Sequence, residues 1–182
     1  KYFTNVSGNT NAGRIAVSEM FKIPENKTEV TYNGLDFSLL KAELNKEIIN
    51  EKFGIKGDDI IIGTSANLRQ WKRIDLLIHS VSLIKDKRVK CMIIGDGPEK
   101  KNLELLAEKT GMKDKFIFTG KVTNIADYLQ VADIFVLPSN SLESFGNSAV
   151  EAIALGIPTI VMKDGGGLPE HIIHNETGYI AT

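Results

Sequence analysis

Residues Ile134-Phe135-Val136-Leu137-Pro138-Ser139-Asn140-Ser141-Leu142-Glu143-Ser144-Phe145-Gly146-Asn147-Ser148-Ala149-Val150-Glu151-Ala152-Ile153-Ala154-Leu155-Gly156 read as a strand, a loop and a helix. The run 134–137 is apolar along its whole length, as a buried parallel strand is, and Pro138 closes it. After Gly146 the residues become small, with Ala149, Val150, Ile153 and Ala154 on one helical face. Gly156 ends that helix and Pro158 forbids its continuation. The helix start around Phe145, Gly146 and Asn147 leaves backbone N–H groups unpaired, and such a terminus attracts anions. Gly146 lets a ligand approach the backbone closely.

Two carboxylates bracket this start. Glu143 precedes the helix, and Glu151 lies within it beside the buried face, one turn after Asn147. An ionised carboxylate can accept two hydrogen bonds at once, which suits paired hydroxyls. The alternative is a solvated helix glutamate plus an N-terminal glutamate favoured by the helix dipole.

Working outward, the same alternation recurs. Strands are expected at 60–66, 89–94, 116–118, 134–137, 159–162 and 178–182, with helices at 72–84, 99–110, 124–131 and 169–174 between them. In the helix over 72–84, Ile74, Leu77, Ile78, Val81 and Ile84 point inward. Upstream, a helix is expected over 39–53, with Leu40, Leu44, Ile48 and Ile49 on one face, and a β-like run at 28–32 before the turn signal Asn33-Gly34. Residues 14–22 suit a short helix, and 1–13, rich in Asn, Thr, Ser and Gly, read as loop. The fold class is therefore α/β, a Rossmann-like three-layer α/β/α arrangement around a mostly parallel sheet. Right-handed crossovers gather the post-strand loops on one carboxyl edge.

Composition is that of a water-soluble globular domain: 182 residues, 42% hydrophobic, 25% charged, net charge −1. No basic excess points to nucleic acid, and no apolar run reaches the length of a membrane span. The single cysteine, Cys91, sits in an apolar run and fits a reducing compartment, the cytosol. The chain opens on Lys1 and stops just after a strand, so it reads as a fragment of a longer protein.

Other chemistries fit less well. Gly95-Asp96-Gly97-Pro98 lacks the spacing of a dinucleotide fingerprint and reads as a tight strand-to-helix turn; a Walker loop is absent. His171 and His174 lack a third ligand at metal spacing, and His79 reads as a surface residue. Arg69, Lys72 and Arg73 cluster at a helix start, where cations oppose the dipole unless an anion is near. Phosphate binding and simple solvated charge both account for them.

The ordered set of these pieces resembles the donor-side domain of retaining, nucleotide-sugar-dependent glycosyltransferases of the two-Rossmann-domain (GT-B) type, family 4 or group 1. Glu143 and Glu151 resemble that family's E-x7-E signature, Gly165-Gly166-Gly167-Leu168-Pro169-Glu170 its G-G-x-P-E loop, and Glu176-Thr177-Gly178-Tyr179 its E-T-G ending. Ala132 to Ser139 match the strand before the signature, and Val30 to Asp36 resemble the N-G-V-D segment between domains. The likeness spans roughly residues 15–182. It implies that residues 29–182 are the C-terminal half of a GT-B enzyme, truncated in its last helices, and that 1–28 are the tail of the other domain.

The resemblance also implies roles. Glu143 contacts the donor sugar. Phe145, Gly146 and Asn147 present backbone N–H groups, Glu151 holds the ribose, and Lys72 neutralises the diphosphate. The backbone at 118–122, including Gly120 and Val122, lines the base. The family arginine five residues before the lysine is Asn67 here, and Arg73 replaces the glycine after it. Either Arg69 supplies the missing charge or the diphosphate is held less tightly. The implied partners are a nucleotide-sugar donor and a saccharide or lipid-linked acceptor. No catalytic metal or other cofactor is expected. A peripheral membrane contact of the full protein would put it at the inner membrane face. The competing reading is a non-catalytic nucleotide-binding or regulatory module on the same fold.

Overall fold

The longest apolar strands, β3 (Ile60–Ser65) and β4 (Val89–Ile94), lie side by side at the middle of a six-stranded sheet. The computed structural model describes residues 5–182. The other strands are β5 (Phe116–Gly120), β6 (Ile134–Leu137), β7 (Thr159–Met162) and β8 (Gly178–Ala181), in the spatial order β5-β4-β3-β6-β7-β8. Every neighbouring pair is parallel.

Because side chains alternate along a strand, each face of the sheet has its own core. Cys91 and Ile93 face α3 (Ile74–Leu83) and α4 (Lys100–Lys109). Met92 and Ile94 face the opposite way, in a core shared with α2 (Lys46–Phe53), α5 (Ala126–Leu129) and α6 (Asn147–Ala154). This is the expected three-layer α/β/α, Rossmann-like fold. Burial holds the Cys91 thiol up at about 12. Among the described residues no helix is long and apolar enough to cross a membrane.

The strand order reverses direction between β3 and β6. There the chain leaves both strands on the same carboxyl edge while their helices go to opposite faces. A crevice opens at such a switch point, and ligands of doubly wound sheets bind there.

Several expectations need correcting. Within the stretch read as loop over 1–13, residues 1–4 lie outside the described residues, but Val6–Gly8 form strand β1 and Asn11 starts α1 (Asn11–Phe21). β1 pairs in parallel with β2 (Thr28–Val30), making a small β-α-β unit apart from the main sheet. Three residues are too few to show a periodicity, so β1 left no signature. The helix expected over 39–53 covers only α2. Asp127 Oδ1 accepts from the Glu43 and Leu44 N–H groups at 2.6 and 2.8 Å, which holds the preceding chain outside the helix. Of its apolar face, Ile49 is buried while Leu44 and Ile48 are exposed. The helix start expected at Lys72 falls at Ile74, after a 3-10 turn over Gln70–Lys72, and Ile84 lies just past its end. The element expected over 169–174 is a 3-10 turn, Leu168–His171. The helix expected over 124–131 is reduced to α5.

Candidate functional site

The loops after β3 and β6 meet at the switch point. Asn140 N–H donates to the Trp71 carbonyl at 3.0 Å, tying one loop to the other. This brings the end of the 3-10 turn at Lys72 against the turn that opens α6. Lys72 Nζ lies 2.5 Å from Glu143 Oε2 and sits over the Trp71 ring, 4.2 Å from its centroid. Ser139, fully buried, donates its hydroxyl to the same Glu143 oxygen at 3.0 Å. Both bonds fall on Oε2, and among the described residues Oε1 has no partner, so it remains for the crevice.

The crevice beside this pair has a volume of about 450 Å³. Its walls are Ser65, Ala66 and Asn67 from the end of β3, Lys72, the continuous run Glu143 to Ser148, and Glu151. Gly146 stands at φ 79° as the N-cap of α6 and provides no side-chain cap, so the first amides of the helix stay available. A Cβ at Gly146 would lie 2.1 Å from Leu168 Cδ2, so the turn accepts only glycine without rearrangement. Phe145 turns its ring into the protein, edge-on to His171 with centroids 4.5 Å apart, and its contribution to the crevice is backbone. Glu151 is half-buried, and loss of hydration pushes its carboxyl above the ordinary range. A carboxyl so placed is ready to be stabilised by hydroxyl donors from a ligand.

A second groove of about 560 Å³ shares Ser65, Ala66 and Asn67 with the first and runs toward β5. Lys121, Val122 and Thr123 line its far side, and the turn Gly95–Gly97 its floor. Gly95 N–H bonds the Gly120 carbonyl at 3.0 Å. A Cβ on Gly95 would lie 2.0 Å from the Ala66 carbonyl, which gives this glycine turn a packing reason of its own. Gly120 itself, at φ 71°, closes β5 and aims residues 121–123 at the groove.

So Lys72, Glu143, Phe145, Gly146, Asn147, Asn67 and Glu151 surround one crevice, and Val122 lies along its continuation. Arg69 does not join them. Leu68 exchanges backbone bonds with Asp96 and Glu99 at 2.9 and 3.0 Å, and that pairing turns Arg69 to a separate hollow beside Asp75, Glu99 and Lys109. Arg69 thus supplies no charge at the crevice to replace the arginine missing at 67. Arg73, at φ 53°, pairs outward with Asp164 at 2.7 Å. The two histidines have local partners: His171 Nε2 lies 2.9 Å from the Phe145 carbonyl, and Ile180 N–H donates to His174 Nδ1 at 3.1 Å.

Two lining residues, Asn9 and Asn33, were not expected; both come from the N-terminal β-α-β unit. Asn33 Nδ2 donates to Asn147 Oδ1 at 3.1 Å. Asn9 Oδ1 accepts the Ser144 hydroxyl. The unit is fastened by Glu170, whose two oxygens accept from the Asn11 and Ala12 N–H groups at 2.9 and 2.8 Å, at the start of α1. Thr10 caps the same helix through Gly13 N–H and donates to the Ser144 carbonyl at 3.0 Å. Asn33 was visible only as a turn signal. Thr10 followed by a run of small residues was the one local sign that a helix starts behind Asn9.

Residues 45–182 match the family model described as glycosyl transferases group 1. The chain is 30% identical over 159 residues to N-acetyl-alpha-D-glucosaminyl L-malate synthase of Bacillus anthracis, a match covering 86% of this chain and 41% of that protein. It is 33% identical over 140 residues to the O-antigen biosynthesis glycosyltransferase WclY of Escherichia coli, covering 76% of this chain and 38% of that one. The fold is similar to that of Anabaena HepE, solved in complex with UDP and glucose, with TM-score 0.87 and 24% identity over 98% of this chain and 49% of that one. The chain spans less than half the length of these curated relatives.

Proposed function

The chain belongs to the glycosyl transferases group 1 family, and from that premise we propose that it is the C-terminal, donor-binding half of a retaining family 4 hexosyltransferase. The donor is a UDP- or GDP-sugar and the acceptor a saccharide or lipid-linked saccharide. One observation carries this reading: Lys72, the uncapped start of α6 and the half-buried Glu151 line a single crevice at the strand-order switch point. A cation and free amides suit a diphosphate; a carboxylate one helical turn further on suits the ribose hydroxyls. The adjoining groove past Asn67 to Val122 has room for the base. The UDP and glucose held by HepE support the same ligand class.

Transfer breaks the bond between the sugar's anomeric carbon and a phosphate oxygen, and negative charge collects on the departing diphosphate. Lys72 and the α6 amides stabilise that charge in place, where they need no reorganisation. For Lys72 to do so, its contact with Glu143 must loosen, and Ser139 then keeps Glu143 in position toward the sugar. No metal takes part in this scheme. The full protein works in the cytoplasm. These 182 residues bind donor but do not turn it over alone, because the acceptor side belongs to the remaining length of the enzyme. Turnover of a UDP- or GDP-sugar by them would overturn that last statement.

Asn67 favours a second reading. With a neutral residue there and Arg69 turned away, the crevice's lining lysine, Lys72, is already paired and is outnumbered by Glu143 and Glu151. A non-catalytic regulatory module with a degenerate donor site would tolerate that. Calorimetry with UDP, GDP and ADP on the unsubstituted protein and on Glu151→Ala separates the cases. Binding that the substitution abolishes supports a working donor site; binding to none of the three supports degeneracy.

A further inference from the structure

Of the two side chains that the N-terminal β-α-β unit brings to the crevice, Asn33 bonds Asn147, while Asn9 lines the crevice together with Glu143. Its contact there is Ser144, the next residue in the chain, whose hydroxyl donates to Asn9 Oδ1. That bond uses the carbonyl end of the carboxamide, and among the described residues the Nδ2 end has no acceptor. Asn9 therefore offers the crevice an N–H donor, while Glu143, lining the same crevice, offers an acceptor oxygen. A donor and an acceptor lining one crevice suit a hydroxyl-bearing ring, whose hydroxyls both accept and donate. Neither group is suited to a phosphate better than Lys72 and the α6 amides already are.

The position of Asn9 is held firmly for a residue at the end of a three-residue strand. Thr10, next to it, is fully buried and bonds the Ser144 carbonyl. The Glu170 carboxylate grips the two following N–H groups. Asn9, only partly buried, is thus oriented at its side chain by Ser144 while the residues that follow it anchor its backbone, as suits a recognition group.

We propose that Asn9, oriented by Ser144, is a specificity-determining residue that hydrogen-bonds a ring hydroxyl of the donor's sugar through its carboxamide N–H. This rests on the donor reading above and goes beyond it, since it assigns sugar selection in part to the N-terminal unit. Asn9 touches the sugar and not the nucleotide, so its loss lowers affinity for the sugar nucleotide and spares the nucleoside diphosphate.

The test is calorimetry on the full-length protein with two probe pairs, UDP against UDP-glucose and GDP against GDP-mannose, for the unsubstituted protein, Asn9→Ala and Asn9→Asp. The aspartate can keep the Ser144 bond but has no N–H to donate. Both variants are expected to hold the nucleoside diphosphate within about twofold and to weaken the sugar nucleotide about three- to tenfold, the effect of one neutral hydrogen bond. An unchanged ratio in both variants overturns the assignment. So does an equal loss of both ligands, or a loss in Asn9→Ala that Asn9→Asp restores, since either marks a structural role. If the unsubstituted protein binds none of the four probes, it is the donor reading that fails.

Discussion

Lys72 and Glu143, 71 residues apart in the chain, form a 2.5 Å ion pair with side chains only 11% and 8% exposed. Two charges withdrawn from water in this way depend on one another. Removing one strands the other, whereas removing both restores an uncharged interior. Lys72→Met is therefore expected to destabilise the protein by about 3–5 kcal/mol, and Lys72→Met combined with Glu143→Leu to recover most of that loss. Urea unfolding of the two variants checks it. A double variant as unstable as the single one would mean that packing, not charge, governs this site.

Burial raises the Glu151 carboxyl, so its ionisation costs the folded state more than the unfolded one. The sign follows directly. The group favours folding below its unfolded value, and that contribution is lost as pH rises through the raised folded value. Glu151→Gln should accordingly stabilise the protein at neutral pH, with the gain fading in acid. Nucleotide affinity should move the other way: ribose hydroxyls donate to the ionised form, so binding weakens as pH falls and begins to do so above the range of an ordinary glutamate. Thermal melts and titrations of both proteins from pH 4 to about pH 8 test the pair of trends together.

Arg73 holds a left-handed backbone, φ 53°, and an ion pair with Asp164 on the protein surface. Left-handed geometry costs a side-chain-bearing residue about 1–2 kcal/mol, and an exposed pair returns about 0–1 kcal/mol. Arg73→Gly should therefore leave stability unchanged or raise it by about 1 kcal/mol, while Arg73→Ala, which keeps the backbone cost and loses the pair, should fall below both. Denaturant midpoints of the three proteins rank them.

Glu170 bonds the Asn11 and Ala12 N–H groups at 2.9 and 2.8 Å and so binds the Gly-rich loop to the start of α1. Glu170→Ala removes both acceptors and the favourable charge at that helix terminus. A loss of about 1–2 kcal/mol is expected, concentrated in the N-terminal unit. Hydrogen exchange should show protection falling across residues 11–21 while β3 and β4 keep theirs. Loss of protection spread evenly over the sheet would mean that the unit and the main domain unfold as one.

By itself the sequence determined the order of strands and helices from β3 to β8, the turn at Gly146 and the bracketing of a helix start by Glu143 and Glu151. All of these are written locally, in apolar runs, helical spacing, glycines and prolines, and a local signal survives whatever the rest of the chain does. Only the tertiary structure decided that Lys72 meets Glu143, that Arg69 turns to the other side of the Leu68 backbone bonds, and that Asn9 arrives at the crevice. Each of those is a contact between segments remote in the chain, made by single side chains with no periodicity to announce them. β1, three residues long, pairs with a strand on the far side of α1, so its strand character exists only once β2 lies beside it.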